Sequence, residues 1–253
     1  MTVEPVFLLF ALVLVTAYAV QTAIGFGGML VCLTFGAQFM GIQEVILLVV
    51  PLSFLQTGYI AFRDRDAIDS PLLFKRVLPL MGLGMGLAFL LLTRLGGPWL
   101  GLAFGLMVLV LSSRDLYRLR FASGVLDKPI PRAASASAIF GAGIIHGIYA
   151  AGGPLLVYAI GREGLGKKAF RSTLSMIWIV LNVILVARFI LVGEYDRARI
   201  IRVLLLVPTV PAGILLGEWV HNKVDDRSFK VAVLVLLMAA AISLVVRYSA
   251  QLI

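Results

Sequence analysis

The 253 residues are 61% hydrophobic and only 14% charged, with a formal net charge of +9 and one cysteine. Soluble domains carry about a quarter charged residues, so this balance excludes a water-soluble globular protein and points to a lipid bilayer as the solvent. The lone Cys32 excludes an intrachain disulfide or a cysteine-based metal site, and with two histidines neither a metal centre nor any other cofactor is expected.

A spanning helix needs roughly 20 mostly apolar residues to cross about 30 Å of hydrocarbon. The first apolar run covers Val3–Ile24 and continues past a Gly cluster to Phe39. Val45–Phe62, Val77–Leu92 and Trp99–Leu111 follow. After a basic stretch come Ser135–Ile160, interrupted by a second Gly pair, then Thr173–Val192, Val203–Val220 and Val231–Val246. The sequence thus predicts an all-α polytopic protein of the inner membrane with about eight transmembrane segments, the first and fifth broken at Gly clusters. The start, Met1-Thr2-Val3-Glu4-Pro5, lacks the basic region of a cleavable signal, so the first run is expected to stay as a membrane helix. Lys and Arg gather in short loops between the apolar runs, as the positive-inside bias requires. That accounts for the net charge without a nucleic-acid partner.

The chain also repeats itself. Gln21-Thr22-Ala23-Ile24-Gly25-Phe26-Gly27-Gly28 lies over His146-Gly147-Ile148-Tyr149-Ala150-Ala151-Gly152-Gly153. At nearly the same offset Gln56 falls on Asn182, Ile68-Asp69 on Tyr195-Asp196, and Arg76-Val77-Leu78 on Arg202-Val203-Leu204. Two pseudo-symmetric halves are expected, 1–121 and 133–253, joined by a basic linker, 122–132. Eight single crossings place 14 basic residues on one side and 8 on the other. If the broken segments turn back and the second half is inverted, the split becomes 16 to 6. Both arrangements stay open at this point.

The Gly clusters carry the functional signal. Glycine costs a helix interior about 1 kcal/mol relative to Ala, so Gly25, Gly27 and Gly28 predict a break, as do Gly152 and Gly153 followed by Pro154. Broken backbone at membrane depth must be buried or line a cavity. The helix restarting after each break offers N–H groups that bind anions. The alternative reading is that these glycines allow close helix packing. Gln21 and His146 precede the two breaks at equivalent places, and Phe26, Tyr149 and Ala151 flank the glycines. Arg171, Ser175, Trp178 and Asn182 share one helix face by their spacing. Ser53, Gln56 and Thr57 lie near one another on the second segment. Such residues mark a substrate path or form interhelical hydrogen bonds, with the second reading favoured for Ser53, Thr57 and Ser175. His146 is a candidate for proton coupling or for a fixed neutral donor. Arg188 either attracts the anion or snorkels to the interface. Glu4, Glu44, Glu194 and Glu218 all fall near segment ends, which argues against a carboxylate relay for cations. No HExxH, GxSxG or Walker-type run is present, so no enzyme activity is expected.

A Gly-rich break in the first segment, repeated in the fifth of an eight-segment chain, resembles the TauE/SafE family of sulfite exporters. The pattern around Pro51 and Gln56, the loop ending Ala67-Ile68-Asp69 and the run 169–182 are similar as well. The chain departs from the family pattern at Met29 and Pro154, where a further Gly is common, and at Gln56, where Asn is common. The resemblance implies a secondary transporter of sulfite or a related sulfur-containing or organosulfonate anion. By the resemblance Gly25, Gly27 and Gly28 match the family's first Gly motif and Gly152 and Gly153 its second; with the residues read above, the substrate site is expected to hold these and Gln21, Phe26, Gln56, His146, Tyr149, Ala151, Ser175 and Asn182. Alternating access coupled to the proton gradient is the expected mechanism, and a homo-oligomer is compatible with it. An anion channel, or a structural membrane subunit of a larger complex, is the alternative.

Overall fold

The computed structural model describes residues 5–92, 97–121, 131–161, 163–223 and 226–252, and every regular element among them is helical. In chain order these are α1 (Pro5–Ile24), α2 (Gly28–Gly36), α3 (Ile42–Arg63) and a 3-10 turn (Arg65–Ala67). Next, α4 (Ser70–Leu72) runs through a π turn (Leu73–Val77) into α5 (Leu78–Leu92), followed by α6 (Pro98–Phe121). The remainder is α7 (Arg132–Tyr149), α8 (Gly153–Ile160), α9 (Lys167–Leu191), α10 (Arg197–Leu206), α11 (Thr209–Lys223) and α12 (Asp226–Ser249). Among the described residues, seven helical stretches are long and apolar enough to cross a membrane, and large side chains such as Leu12, Phe62, Leu191 and Leu215 face outward. The protein is an all-helical, multi-pass membrane bundle. The expected fifth segment differs from those seven: it divides into an 18-residue α7, which opens on Arg132-Ala133-Ala134-Ser135-Ala136-Ser137, and an 8-residue α8. Most of the expected linker, 122–130, lies outside the described residues, as do Glu4 and Arg162.

At each Gly cluster the chain doubles back. α1 stops at Ile24, the Gly25 N–H donates to the Gln21 carbonyl at 2.7 Å, and Gly25 and Gly27 take φ values of +92° and +95°. Only glycine adopts such values at little cost. α2 then returns along α1, with Gly28 against Ala17 and Gln21 and Gly36 against Phe10. The second hairpin has the same construction. The Ala150 N–H donates to the His146 carbonyl at 2.7 Å, and Ala150 is left-handed at φ +53°. α8 returns along α7, with Gly152 against Ala142 and the Ser135 hydroxyl donating to the Ala159 carbonyl. The glycines therefore break the helices and also let the two arms of each hairpin approach. A Cβ on Gly152 would stand 2.4 Å from the Ala142 carbonyl oxygen.

Helix directions follow from which residues meet. The most extensive pairings join α5 to α7, α1 to α11, α6 to α12 and α3 to α9. Exchanging each helix of α1–α6 with the one six places later leaves this set unchanged. α5 and α7 run parallel, Met81 meeting Gly143 and Met85 meeting Gly147; α1 and α11 do too, Val15 meeting Gly213 and Ala19 meeting Gly217. α6 and α12 are antiparallel, with Gly101 at Tyr248 and Gly105 at Leu244. So are α3 and α9: Leu47 meets Tyr195, Ser53 meets Asn182 and Asp64 meets Arg171. Pro51 lacks the N–H that would bond to Leu47 within α3, and the Tyr195 hydroxyl donates to that freed carbonyl at 3.1 Å. Burial, set against Arg199 and reinforced by Glu194, pushes the Tyr195 phenol up to about 12, so it stays a donor.

These directions bring the ends of α3, α6, α8 and α11 and the starts of α7, α9 and α12 to one face of the bundle. The Arg76–Glu163 and Arg63–Glu218 ion pairs, at 2.6 and 2.9 Å, join elements at that face. Arg63, Arg76, Lys168 and Arg171 are among the described basic residues at that face.

Candidate functional site

A cavity of about 40 Å³ lies between the tips of the two hairpins and the middles of α3 and α9. The first hairpin contributes Tyr18, Gln21, Phe26, Gly27, Gly28, Met29 and Leu30; the second contributes His146, Ala150, Ala151, Gly153 and Pro154. Val49, Ser53 and Thr57 come from α3, and Trp178 and Asn182 from α9. One water occupies roughly 10–15 Å³ on this measure, so the space suits a compact group of a few atoms. Among the described residues, no charged side chain lines it. Positive potential comes instead from the backbone. α2 and α8 both start here, at Gly28 and Gly153, and the first N–H groups of a helix have no intrahelical acceptor. Each helix start carries roughly half a positive charge and attracts anions. Pro154 fits in the first turn of α8 because the N–H it lacks would have had no partner there.

The side chains on the far wall form one directed chain of hydrogen bonds. The Ser53 hydroxyl donates to the Val50 carbonyl at 2.6 Å, which uses its only hydrogen, so it accepts from Asn182 Nδ2 at 2.8 Å. Asn182 Oδ1 is thereby turned to His146 Nε2, 3.1 Å away, and must accept from it. In the neutral ring the lone pair then belongs to Nδ1, which is buried with no partner among the described residues. Trp178 stacks on the imidazole with centroids 5.3 Å apart and planes 19° apart. His146 thus lines the cavity with Nε2 tied to Asn182 and with Nδ1 unpartnered among the described residues.

Of the residues expected from sequence, Gln21, Phe26, Gly27, Gly28, His146, Ala151, Gly153 and Asn182 meet at this cavity. The others do not line it. Gly25 packs on Arg171, and Gly152 packs on Ala142 and His146. Gln56 is fully buried and donates to the Tyr18 carbonyl and the Thr22 hydroxyl, both at 2.7 Å, which ties α3 to α1. The Tyr149 hydroxyl donates to the Leu100 carbonyl at 2.9 Å, so that side chain points at α6. Ser175 donates to the Arg171 carbonyl one turn back on its own helix. Arg188 lies over the Phe89 ring, 4.8 Å from its centroid. Ser53 and Thr57, read from sequence as hydrogen-bonding groups between helices, both line the cavity, and Ser53 does bond across to α9. Sequence reasoning missed the apolar wall of Met29, Leu30 and Val49 and gave Trp178 no role of its own. Its i, i+4 relation to Asn182 was the available signal.

Beyond the cavity, ion pairs tie α3 to its neighbours at both ends. At one end Asp64 meets Arg171 at 3.0 Å and Lys168 at 3.6 Å, and Glu218 meets Arg63 at 2.9 Å and Arg171 at 3.8 Å. At the other end Glu44 meets Arg199 and Arg202, both at 3.0 Å, and Glu194 meets Arg199 at 3.6 Å.

A multi-pass helical bundle with a small uncharged cavity between two broken helices is built like a membrane transporter. The family model for the sulfite exporter TauE/SafE matches residues 9–244, and the chain belongs to that family. It is similar to the probable inner membrane transporter protein TsaS of Comamonas testosteroni, with 27% identity over 203 residues, 79% of this chain and 80% of the relative. No solved structure matches it. The protein is thus a multi-pass inner-membrane transporter of the TauE/SafE family.

Proposed function

We propose that this protein is a secondary carrier, and not an enzyme, that moves sulfite or a related sulfur-containing anion across the inner membrane by alternating access with a proton. The observation that carries the reading is the meeting of two helix N-termini at one cavity with no charged side chain among its described lining residues. An acidic lining would repel an anion, and a lysine or arginine there would hold it too tightly for release. Helix starts attract it with partial charge, fixed in place by the hairpins. His146 Nδ1 takes up a proton as the anion binds, which offsets the added negative charge and links transport to the proton gradient. All of these groups come from one chain, so the reading does not depend on self-association.

Alternating access uses two inverted halves, 1–121 and 133–253, joined through 122–132. α3 and α9 cross at the Ser53–Asn182 hydrogen bond beside the cavity and carry ion pairs at both ends. Opening one end separates one set of ion pairs while the other set holds. The positive-inside bias puts the Asp64 end at the cytoplasm. In a Cys32→Ala background, cysteines replacing Asp66 and Glu163 should react with a membrane-impermeant thiol reagent from the same face, and one replacing Arg197 from the opposite face. Labelling of the first two from opposite faces would refute the inversion.

The carrier itself is tested by radiolabelled sulfite flux into proteoliposomes, with and without a pH gradient, competed by thiosulfate, sulfoacetate and sulfate. Saturable flux that follows the gradient is expected. Flux that never saturates would make the protein a channel. Absence of flux together with co-purification of a partner would make it a structural subunit.

A further inference from the structure

The carrier reading leaves the size of the anion open, and two aromatic side chains at the cavity bear on it. Phe26 lies in the turn between α1 and α2, yet it reaches the second hairpin. A Cβ placed on Gly153 would stand 3.6 Å from Phe26 Cβ and 3.7 Å from Phe26 Cδ2. Trp178 arrives at the same point from α9, with its Cζ2 at 3.8 Å. Two rings from separate elements thus close over the start of α8, one of the two helix ends that attract the anion.

Trp178 has little freedom to move aside. It is 7% exposed and stacks on His146, which is held by Asn182, which is held in turn by Ser53. Swinging the indole away would strip one face from the imidazole and open the wall between α7 and α9. Phe26 is flanked by Gly25 and Gly27, both left-handed, so its backbone is committed to the tight turn. The partly open cavity that these walls border has room for water-sized groups over about 40 Å³. That is a few waters' worth, enough for a pyramidal oxyanion. A sulfonate presents similar oxygens to the helix starts but also carries a carbon tail, which the apolar side of the cavity would have to house.

We propose that Phe26 and Trp178 form a size filter that admits compact inorganic oxyanions such as sulfite and turns away organosulfonates. This rests on the carrier reading and narrows its substrate. Neither ring supplies charge to the anion, so their removal should change which anions compete more than how strongly oxyanions as a class are attracted.

The test compares inhibition of labelled sulfite flux in proteoliposomes by selenite, methanesulfonate, ethanesulfonate and benzenesulfonate. For the wild type, selenite should compete well and the sulfonates progressively worse with size. In Phe26→Ala and Trp178→Ala, inhibition by ethanesulfonate relative to selenite should improve about tenfold or more, the scale on which a methylene-sized space discriminates. Trp178→Phe should fall between wild type and Trp178→Ala. Phe26→Ala has no contact with the imidazole stack among those described, so it keeps the test decisive if Trp178→Ala folds poorly. Wild-type flux inhibited equally by selenite and benzenesulfonate, or an unchanged order in Phe26→Ala, would overturn the filter alone. No sulfite flux from the wild type would overturn the carrier reading and the filter with it.

Discussion

The two hairpins share a backbone plan and differ in chemistry. In both, the N–H at the break donates to the carbonyl four residues back at 2.7 Å, and the first closed turn of the half-helix repeats the pairing, the Val31 N–H donating to the Gly27 carbonyl and the Leu156 N–H to the Gly152 carbonyl, both at 3.1 Å. The first hairpin uses glycine at its left-handed positions, whereas the second places Ala150 in that conformation and starts its half-helix with Gly153-Pro154. Where the first hairpin has Gln21, the second has His146, tied to Asn182 and stacked on Trp178. The duplicated part is thus the backbone that creates positive potential. The histidine belongs to the second hairpin only, which suits the proposed carrier if each anion is to travel with one proton.

Three pairs of substitutions break or sharpen that comparison, and the largest effect falls on the close contact within the second hairpin. Gly152→Val puts a side chain into the Ala142 carbonyl, which is backbone and cannot yield. The added Cβ of Gly28→Ala chiefly meets the Gln21 amide end, which can turn away. Gly152→Val should abolish sulfite flux and lower thermal stability by about 1–3 kcal/mol or more, whereas Gly28→Ala should keep measurable flux. Paired flux and thermal-unfolding assays check this.

Next is the chemical difference. His146→Gln keeps a donor near Asn182 but removes the free nitrogen, so sulfite flux should lose its dependence on an imposed pH gradient. Gln21→Glu leaves the histidine in place and should weaken anion binding while the gradient dependence persists. A gradient-dependent His146→Gln carrier would show that the proton is taken up elsewhere.

The smallest effect concerns backbone conformation. A left-handed L-residue costs about 1–2 kcal/mol, partly offset by the greater freedom of glycine in the unfolded chain. Ala150→Gly should therefore be neutral or stabilising by up to about 1 kcal/mol, and Gly25→Ala should be destabilising. Unfolding midpoints in one detergent compare the two directly.

Much of this arrangement was legible in the sequence, because glycine inside an apolar run is costly to a helix and its recurrence at one offset is improbable by composition alone. The breaks, the equivalence of Gln21 with His146 and the family followed from that. The reversal of the chain at each break did not. Residues 28–39 are equally apolar whether they continue or turn back, and basic splits of 14 to 8 and 16 to 6 are too similar to decide. What decides is contact: Gly28 on Ala17, and Gly152 on Ala142. Periodicity likewise put Gln56 and Asn182 at matching places without saying what each would meet. Gln56 bonds to α1 behind the cavity, while Asn182 faces it. Tyr149 looked like a wall residue from its place beside the glycines, but its hydroxyl bonds to α6. Pro51 was visible, whereas the Tyr195 hydroxyl that satisfies its freed carbonyl comes from the far half of the chain.

The most direct measurement is an electron cryo-microscopy map of the protein in lipid nanodiscs at saturating selenite, whose heavier central atom marks the position of a sulfite-like anion. The expected result is one density between the backbone nitrogens of Gly28 and Gly153, beside His146 Nδ1 and bounded by Phe26 and Trp178. An empty cavity with the anion held at Arg171 or another surface cation would contradict a site built from two helix N-termini.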